Sequence, residues 1–393
     1  MKSTFTIIAL SIFILIACSP NEIKQTKEVR IAKGGVSLGG VFKINENEYF
    51  SSLYPHHVDE IIAQQIASQV YEGLVKLSSK NLSVLPSLAE SWDISNNGKT
   101  FTFHLRKGVR FHDDTCFDKG IGREVTAQDY KYCFEKLCSH NEDMNSGFYI
   151  FQDRVVGANA YYESTYKGAP LAAGVSGIKA VDKYTLQIDL EYPFRGFLNM
   201  LTMPFTWVFP KEADEKYGID MRTHCVGTGP FYVKDLKHDE SVILARNEKY
   251  WGSDKHGNQL PYLDVVKFTF NKEKTAEFLE FKKGNLDIVT GVPLEMRDML
   301  LQDFSTGNLQ FNMNITPIMS ISYYAFQTQG KLFRNKKLRQ AFNYAIDREK
   351  IAKFILKDEA RPAIYGIVPP SFPGYKTEEV KGFTFHPDLA RKL

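Results

Sequence analysis

The sequence has no sustained run of one charge. Its 49 Lys and Arg stand against 46 Asp and Glu across 393 residues, with the two signs interspersed. The electrostatic footprint of a nucleic-acid-binding surface is therefore missing, and no nucleic-acid partner is expected. Neither C-x2-C nor H-E-x-x-H occurs, so the close ligand pairs of a zinc centre are lacking and no metal or other cofactor is expected. His56-His57 and His112-Asp113-Asp114 read as turn and surface residues. Cysteines number only five; beyond Cys18 they are Cys116, Cys133, Cys138 and Cys225, which allow three pairings. Cys133 and Cys138 lie five apart on a predicted helix and do not share a face, so one disulfide or none is expected. There is no internal repeat, low-complexity tract or long interdomain linker. The longest apolar stretch, Phe5 to Ala17, falls short of the roughly 20 residues needed to cross a bilayer.

Aromatic residues are abundant, with 20 Tyr and 29 Phe, many in alternating runs that suit a large sheet core. Tyrosines offer an apolar face and a polar tip, and they suit a ligand cleft as well. At about 150 residues per domain the length predicts two or three domains. The amino terminus has its own organisation: Lys2 supplies a positive start, Phe5 to Ala17 an apolar core, and Leu15-Ile16-Ala17-Cys18 a short end. Residues 1–17 read as an export signal. The last four resemble the lipobox of bacterial lipoproteins, which implies cleavage before Cys18 and lipid on its thiol. Residues 18–28 then form a polar tether, and the expected location is the cell envelope, anchored outside the cytoplasmic membrane or in the periplasm.

Two catalytic patterns fail on context. Gly35-Val36-Ser37-Leu38-Gly39 matches G-x-S-x-G, but a nucleophile elbow must enter a helix, whereas Val41-Phe42-Lys43-Ile44 reads as a strand. Gly98-Lys99-Thr100 resembles the end of a P-loop, yet Asp93 stands where the motif requires glycine and Phe101 to Leu105 continue as a strand. No catalytic residue is assigned; a lipid-anchored serine hydrolase resting on Ser37 is the weak alternative from another class. Asn97-Gly98 predicts a hairpin between Trp92-Asp93-Ile94 and Phe101, Phe103 and Leu105, with Trp92 and Phe101 in the core. Thr126 and Asp129 predict a capped helix through Leu137. Further hairpins are predicted over 178–190 and 231–244, and helices over 58–75 and 336–355.

Leu88 to Asp114, followed by Val125-Thr126-Ala127-Gln128-Asp129-Tyr130, resembles the signature of the family 5 extracellular solute-binding proteins, the peptide and nickel receptors of ABC importers. Tyr71-Glu72-Gly73-Leu74-Val75, Gly227-Thr228-Gly229-Pro230-Phe231, Arg246 to Gly252, Leu260 to Asp264, Lys283 to Ile288 and Leu338 to Glu349 extend the likeness in order. The resemblance implies an α/β, two-lobed periplasmic binding protein-like fold, type II with an extra inserted subdomain. Residues 29–71 and 178–315 would form lobe I, 72–177 the inserted subdomain, and 316–393 the start of lobe II. Since family members continue beyond the last helix begun here, the second lobe is expected to be incomplete, and the chain a fragment or truncated product. The resemblance further implies a monomeric receptor that pairs with the backbone of an oligopeptide or dipeptide and passes it to ABC permease subunits. The ligand contacts it implies are Asp59, Glu60 and Ile61 after Pro55-His56-His57, together with Tyr149 and Tyr323. Ala325 stands where the best-known oligopeptide receptors have an acidic residue. A nickel, haem or other small-solute receptor of the same fold is the runner-up.

Overall fold

The computed structural model describes residues 30–393 except Glu142; the export signal, the Cys18 lipidation site and the tether over 18–28 lie outside the described residues. Short β1 (Arg30–Ile31) and β2 (Ser37–Leu38) pair antiparallel ahead of β3 (Val41–Glu46). Ser37 thus sits in a strand that leads to another strand, not at an elbow before a helix. After α1 (Ile61–Ala67) come β4 (Val75–Leu77), β5 (Val84–Pro86), β6 (Ala89–Ser95) and β7 (Thr100–Leu105). Helices α2 (Ala127–Leu137) and α3 (Ala158–Tyr166) precede β8 (Ile178–Ala180) and β9 (Thr185–Asp189). Then follow α4 (Phe197–Met200), α5 (Lys211–Tyr217), β10 (Phe231–Lys237), β11 (Ser241–Arg246) and β12 (Val265–Phe270). The remaining helices are α6 (Lys274–Lys282), α7 (Leu294–Thr306), α8 (Lys336–Ala345), α9 (Arg348–Lys350) and α10 (Pro387–Lys392).

Two four-stranded sheets organise these elements. The first runs β10-β11-β12-β3 and the second β6-β7-β9-β8. In the first, β12 lies parallel to β3, a pairing that needs a long crossover. That crossover contains the whole second sheet, so the chain leaves the first sheet after Glu46 and returns at Phe231. Every pairing in the second sheet is antiparallel. Along β7 the buried residues are Phe101, Phe103 and Leu105, the period of two that sends alternate side chains to one face. Helix α2 packs on β8 and β9.

The predicted hairpins form where the turn chemistry placed them. The helix predicted over 58–75 stops at Ala67, because the carbonyls of Gln69 and Val70 accept instead from Phe231 and Gly229 N–H, at 3.0 and 2.8 Å. Val70 and Leu74 are still fully buried, so their spacing reported burial and not helix. The predicted 336–355 helix breaks after Ala345, where the Asp347 side chain accepts from Lys350 N–H and caps a new start. Trp92 is only half-buried at the rim of the core.

Packing groups the elements in its own way. The hairpin from 178 pairs through β9 with β7, so it shares the second sheet with strands of the segment expected to form the inserted subdomain of lobe I. The main core extends as far as Phe268 and Phe270, well short of the boundary expected at 315. Later residues gather in separate aromatic clusters, Phe278 with Phe281 and Phe311, and Phe326 with Phe333 and Phe342.

Candidate ligand-binding site

The segment before α1 alternates between anchor and display. Leu53, Tyr54, Val58 and His56 are fully buried, and Pro55–His57 forms a single 3-10 turn. The chain is thereby held from below, and Asp59, Glu60 and Ile61 emerge at its edge, with Ile61 76% exposed. Glu60 Oε1 accepts the Ser51 N–H at 3.2 Å and its hydroxyl at 2.6 Å, closing the loop on itself. The Gln64 amide donates to the carbonyls of Val58 and Asp59, both at 3.3 Å.

A second loop ties itself to this edge. Ser146 N–H donates to the His56 carbonyl at 2.9 Å, and its hydroxyl to Asp59 Oδ2 at 2.8 Å. Three residues on, Tyr149 lies in the turn Phe148–Ile150 with its ring edge-on to Phe205 at 5.9 Å between centroids. Arg154 donates to its carbonyl at 2.7 Å, fixing the turn. Partial burial raises the Tyr149 phenol above its ordinary pKa, and the nearby Asp59 charge raises it further. Asp59 and Tyr149 therefore share one edge. Asp59 offers a carboxylate acceptor and Tyr149 a phenol that both donates and accepts, which suits amide groups and a cation, while Glu60 Oε1 is taken by Ser51 and its Oε2 is buried.

Tyr323 is not brought to this edge by any contact. It is 68% exposed in a stretch without helix or strand, and among the described residues it makes no hydrogen bond or ring contact. The histidines depart from expectation. His56 is in the predicted turn but fully buried, and burial drives its pKa down to about 3, helped by Lys136. His112 is buried too, donating from Nε2 to the Gly229 carbonyl at 2.9 Å while Nδ1 accepts the Gly227 N–H at 3.3 Å. Burial lowers its pKa to about 4. Both are neutral structural groups. On the inner side of the same segment, His56, Lys136, His140 and Asn145 line a polar cavity of about 120 Å³.

Sequence reasoning missed a support of this edge and a buried cluster elsewhere in the fold. Ser146 positions Asp59, and nothing in its local sequence marks it. In the cluster Glu72 accepts from the Thr228 hydroxyl at 3.0 Å, Tyr250 hydroxyl at 2.9 Å and Trp251 Nε1 at 2.9 Å. Glu72, Thr228 and the adjacent pair Tyr250-Trp251 fall in three different quoted motifs, so the motifs signalled a cluster that only the fold closes. Gly227 is glycine for a related reason, since a Cβ there would fall 2.0 Å from the Val70 carbonyl oxygen. All four cysteines in the described residues are free, and no described helix is long and apolar enough to cross a membrane.

The arrangement defines a class, the two-lobed periplasmic binding proteins. Among solved structures, the periplasmic binding protein DppA of Helicobacter pylori in complex with the peptide STSA is similar at a TM-score of 0.71 and 25% identity, covering 90% of this chain and 65% of that one. An oligopeptide-binding protein of Borrelia burgdorferi matches at 0.69 and 26%, again over 90% and 65%. The dipeptide-binding protein DppE of Bacillus subtilis is 28% identical over 92% of this chain and 61% of its own length. The periplasmic oligopeptide-binding protein OppA of Escherichia coli is 27% identical over 86% and 58%. The chain thus spans about three fifths of the relatives it matches. The family model for bacterial extracellular solute-binding proteins, family 5 Middle, matches residues 83–393, and the chain belongs to this family. Its members are solute receptors of transport systems and not enzymes, which removes the Ser37 hydrolase alternative.

Proposed function

We propose that the protein captures peptides outside the cytoplasm and delivers them to the permease of an ABC importer, held at the membrane by lipid on Cys18. The single observation that carries the peptide reading is the Asp59–Tyr149 edge, where exposed acceptors and a phenol stand on a segment anchored by buried Leu53, Tyr54 and His56. An extended peptide presents repeating N–H and C=O groups whatever its sequence, so such an edge gives affinity without demanding particular side chains. Relatives in this family bear names of dipeptide- and oligopeptide-binding proteins, which supports the same ligand class. Asp59, Glu60 and Ile61 are the proposed backbone contacts and Tyr149 a flanking one. Tyr323 is proposed to reach the ligand from the opposite side.

The test is calorimetric titration of the purified protein with short peptides. Asp59→Ala is expected to weaken binding about tenfold, the cost of one charge-assisted hydrogen bond, and Tyr149→Phe by less, with unchanged thermal stability. Equal affinity in wild type and both variants contradicts the assignment. For the anchor, labelling cells with a radioactive fatty acid is expected to mark the wild type and leave Cys18→Ser unlabelled; label in both, or in neither, contradicts it.

A further inference from the structure

Beyond β12 the chain turns into α6 through a tightly pinned joint. Asn45 donates from its side-chain amide to the Asn271 carbonyl at 3.0 Å, and its Oδ1 accepts the Asn271 N–H at 2.9 Å. After α6 the chain returns to β3, where Asp287 N–H donates to the Lys43 carbonyl at 2.9 Å and Lys43 N–H to Asp287 Oδ2 at 2.7 Å. Ile44 and Ile288 form a parallel bridge. The segment from Asn271 to Ile288 is therefore tied to the first sheet along the edge of β3.

Inside this joint two acids are buried. Glu46, opposite Phe270 at the end of β3, is 8% exposed, and Glu277 on α6 is 1% exposed. Oε1 of Glu46 and both carboxylate oxygens of Glu277 receive no hydrogen bond. The charges acting on Glu46 are Glu277 and Lys274, both from α6. Lys43 and its register partner Lys267 point to the other face of the pleat, as odd positions beside an even one must. Asp287 is taken up by Lys43 N–H. Lys274 Nζ lies 3.1 Å from Glu277 Oε2 and also donates to the Thr290 carbonyl at 2.8 Å. One cation thus serves two buried carboxylates, and with both ionised a negative charge is left over where it is expensive. A metal does not fill the role: among the described residues no three His, Cys, Asp or Glu gather as ligands, and Lys274 already occupies the cation's place.

We propose that Glu46 and Glu277 form a proton-operated latch between the first sheet and the segment that begins with α6. With Glu46 protonated the segment stays docked; with Glu46 ionised beside Glu277 the joint loosens. Burial raises the Glu46 pKa above its ordinary value near 4.5, Glu277 raises it further, and Lys274 opposes. A raised carboxyl means that the docked state binds more protons than the open one. Docking is therefore strongest below the ordinary value and weakens as pH rises through the docked-state pKa.

The test is amide hydrogen exchange on the full chain between pH 5 and pH 8, expressed as protection relative to the intrinsic rate. In the wild type, protection at Lys43, Asn271 and Asp287 is expected to fall steadily as pH rises across that range. Glu46→Gln keeps the shape, removes the titration, and is expected to hold protection level. If Glu46→Gln does not fold, Glu277→Gln reads the same quantity, and Lys274→Met is expected to steepen the fall. Parallel pH profiles in the wild type and all folded variants would overturn the latch.

Discussion

Glu72 carries the charge of its site in the interior, and it is tolerated there because three donors converge on it. Thr228 and the adjacent pair Tyr250-Trp251 come from separate stretches of chain, so the carboxylate acts as a clasp between them. Burial still raises its pKa, the three hydrogen bonds pulling the other way without cancelling it. Glu72→Ala leaves the three donors without their acceptor and is expected to destabilise the protein by about 3 kcal/mol, read as a lower denaturation midpoint in urea. A change below about 1 kcal/mol contradicts the clasp. At this scale the sequence was informative about types and poor about environment. The likeness placed Asp59 and Tyr149 on loops after recognisable anchors, and the fold brings those two loops together. The burial of His56 and His112 was not legible, since it is set by residues far along the chain: the His56 ring packs against Phe209, and His112 donates to the Gly229 carbonyl.

Helix α2 shows how an element is held at its start. The Thr126 N–H and hydroxyl both donate to Asp129 Oδ2, at 2.8 and 2.9 Å, as the spacing of the two residues predicts. What the spacing could not show is Arg123, whose guanidinium donates to both Asp129 oxygens, at 2.6 and 3.0 Å, and to both Glu212 oxygens on α5, at 2.6 and 2.8 Å. Arg123→Ala leaves Asp129, 5% exposed in its side chain, without its cation and is expected to cost about 3–5 kcal/mol. Glu212→Ala, at a partly exposed partner, is expected to cost under about 1 kcal/mol. Lysine cannot reproduce the fork and should recover little of the loss. Thermal unfolding of the three variants checks the order, and equal losses in Arg123→Ala and Glu212→Ala would contradict it. Hairpins were legible in the sequence because Asn97-Gly98 and similar pairs fix their turns locally. Helix ends were not: α1 stops where Gln69 and Val70 turn their carbonyls to Gly229 and Phe231, a decision made by distant residues.

At the scale of the molecule, one sheet receives both ends of a long excursion, and the edge that bears Asp59 lies within that excursion. The order of motifs along the chain carried the family and the α/β class. Which strands and core residues group together was less legible, because β9 joins the second sheet by pairing with β7 and the large apolar residues beyond Phe270 gather in clusters of their own. Neither fact is written in local composition. The ligand proposed for the Asp59–Tyr149 edge is a peptide. Mass spectrometry of what co-purifies with the protein, expressed in its natural extent and released by denaturation, tests this most directly. A mixture of short peptides of varied sequence is the predicted result. A metal complex, a haem or another single solute, or no ligand at all in a well-folded preparation, would contradict it.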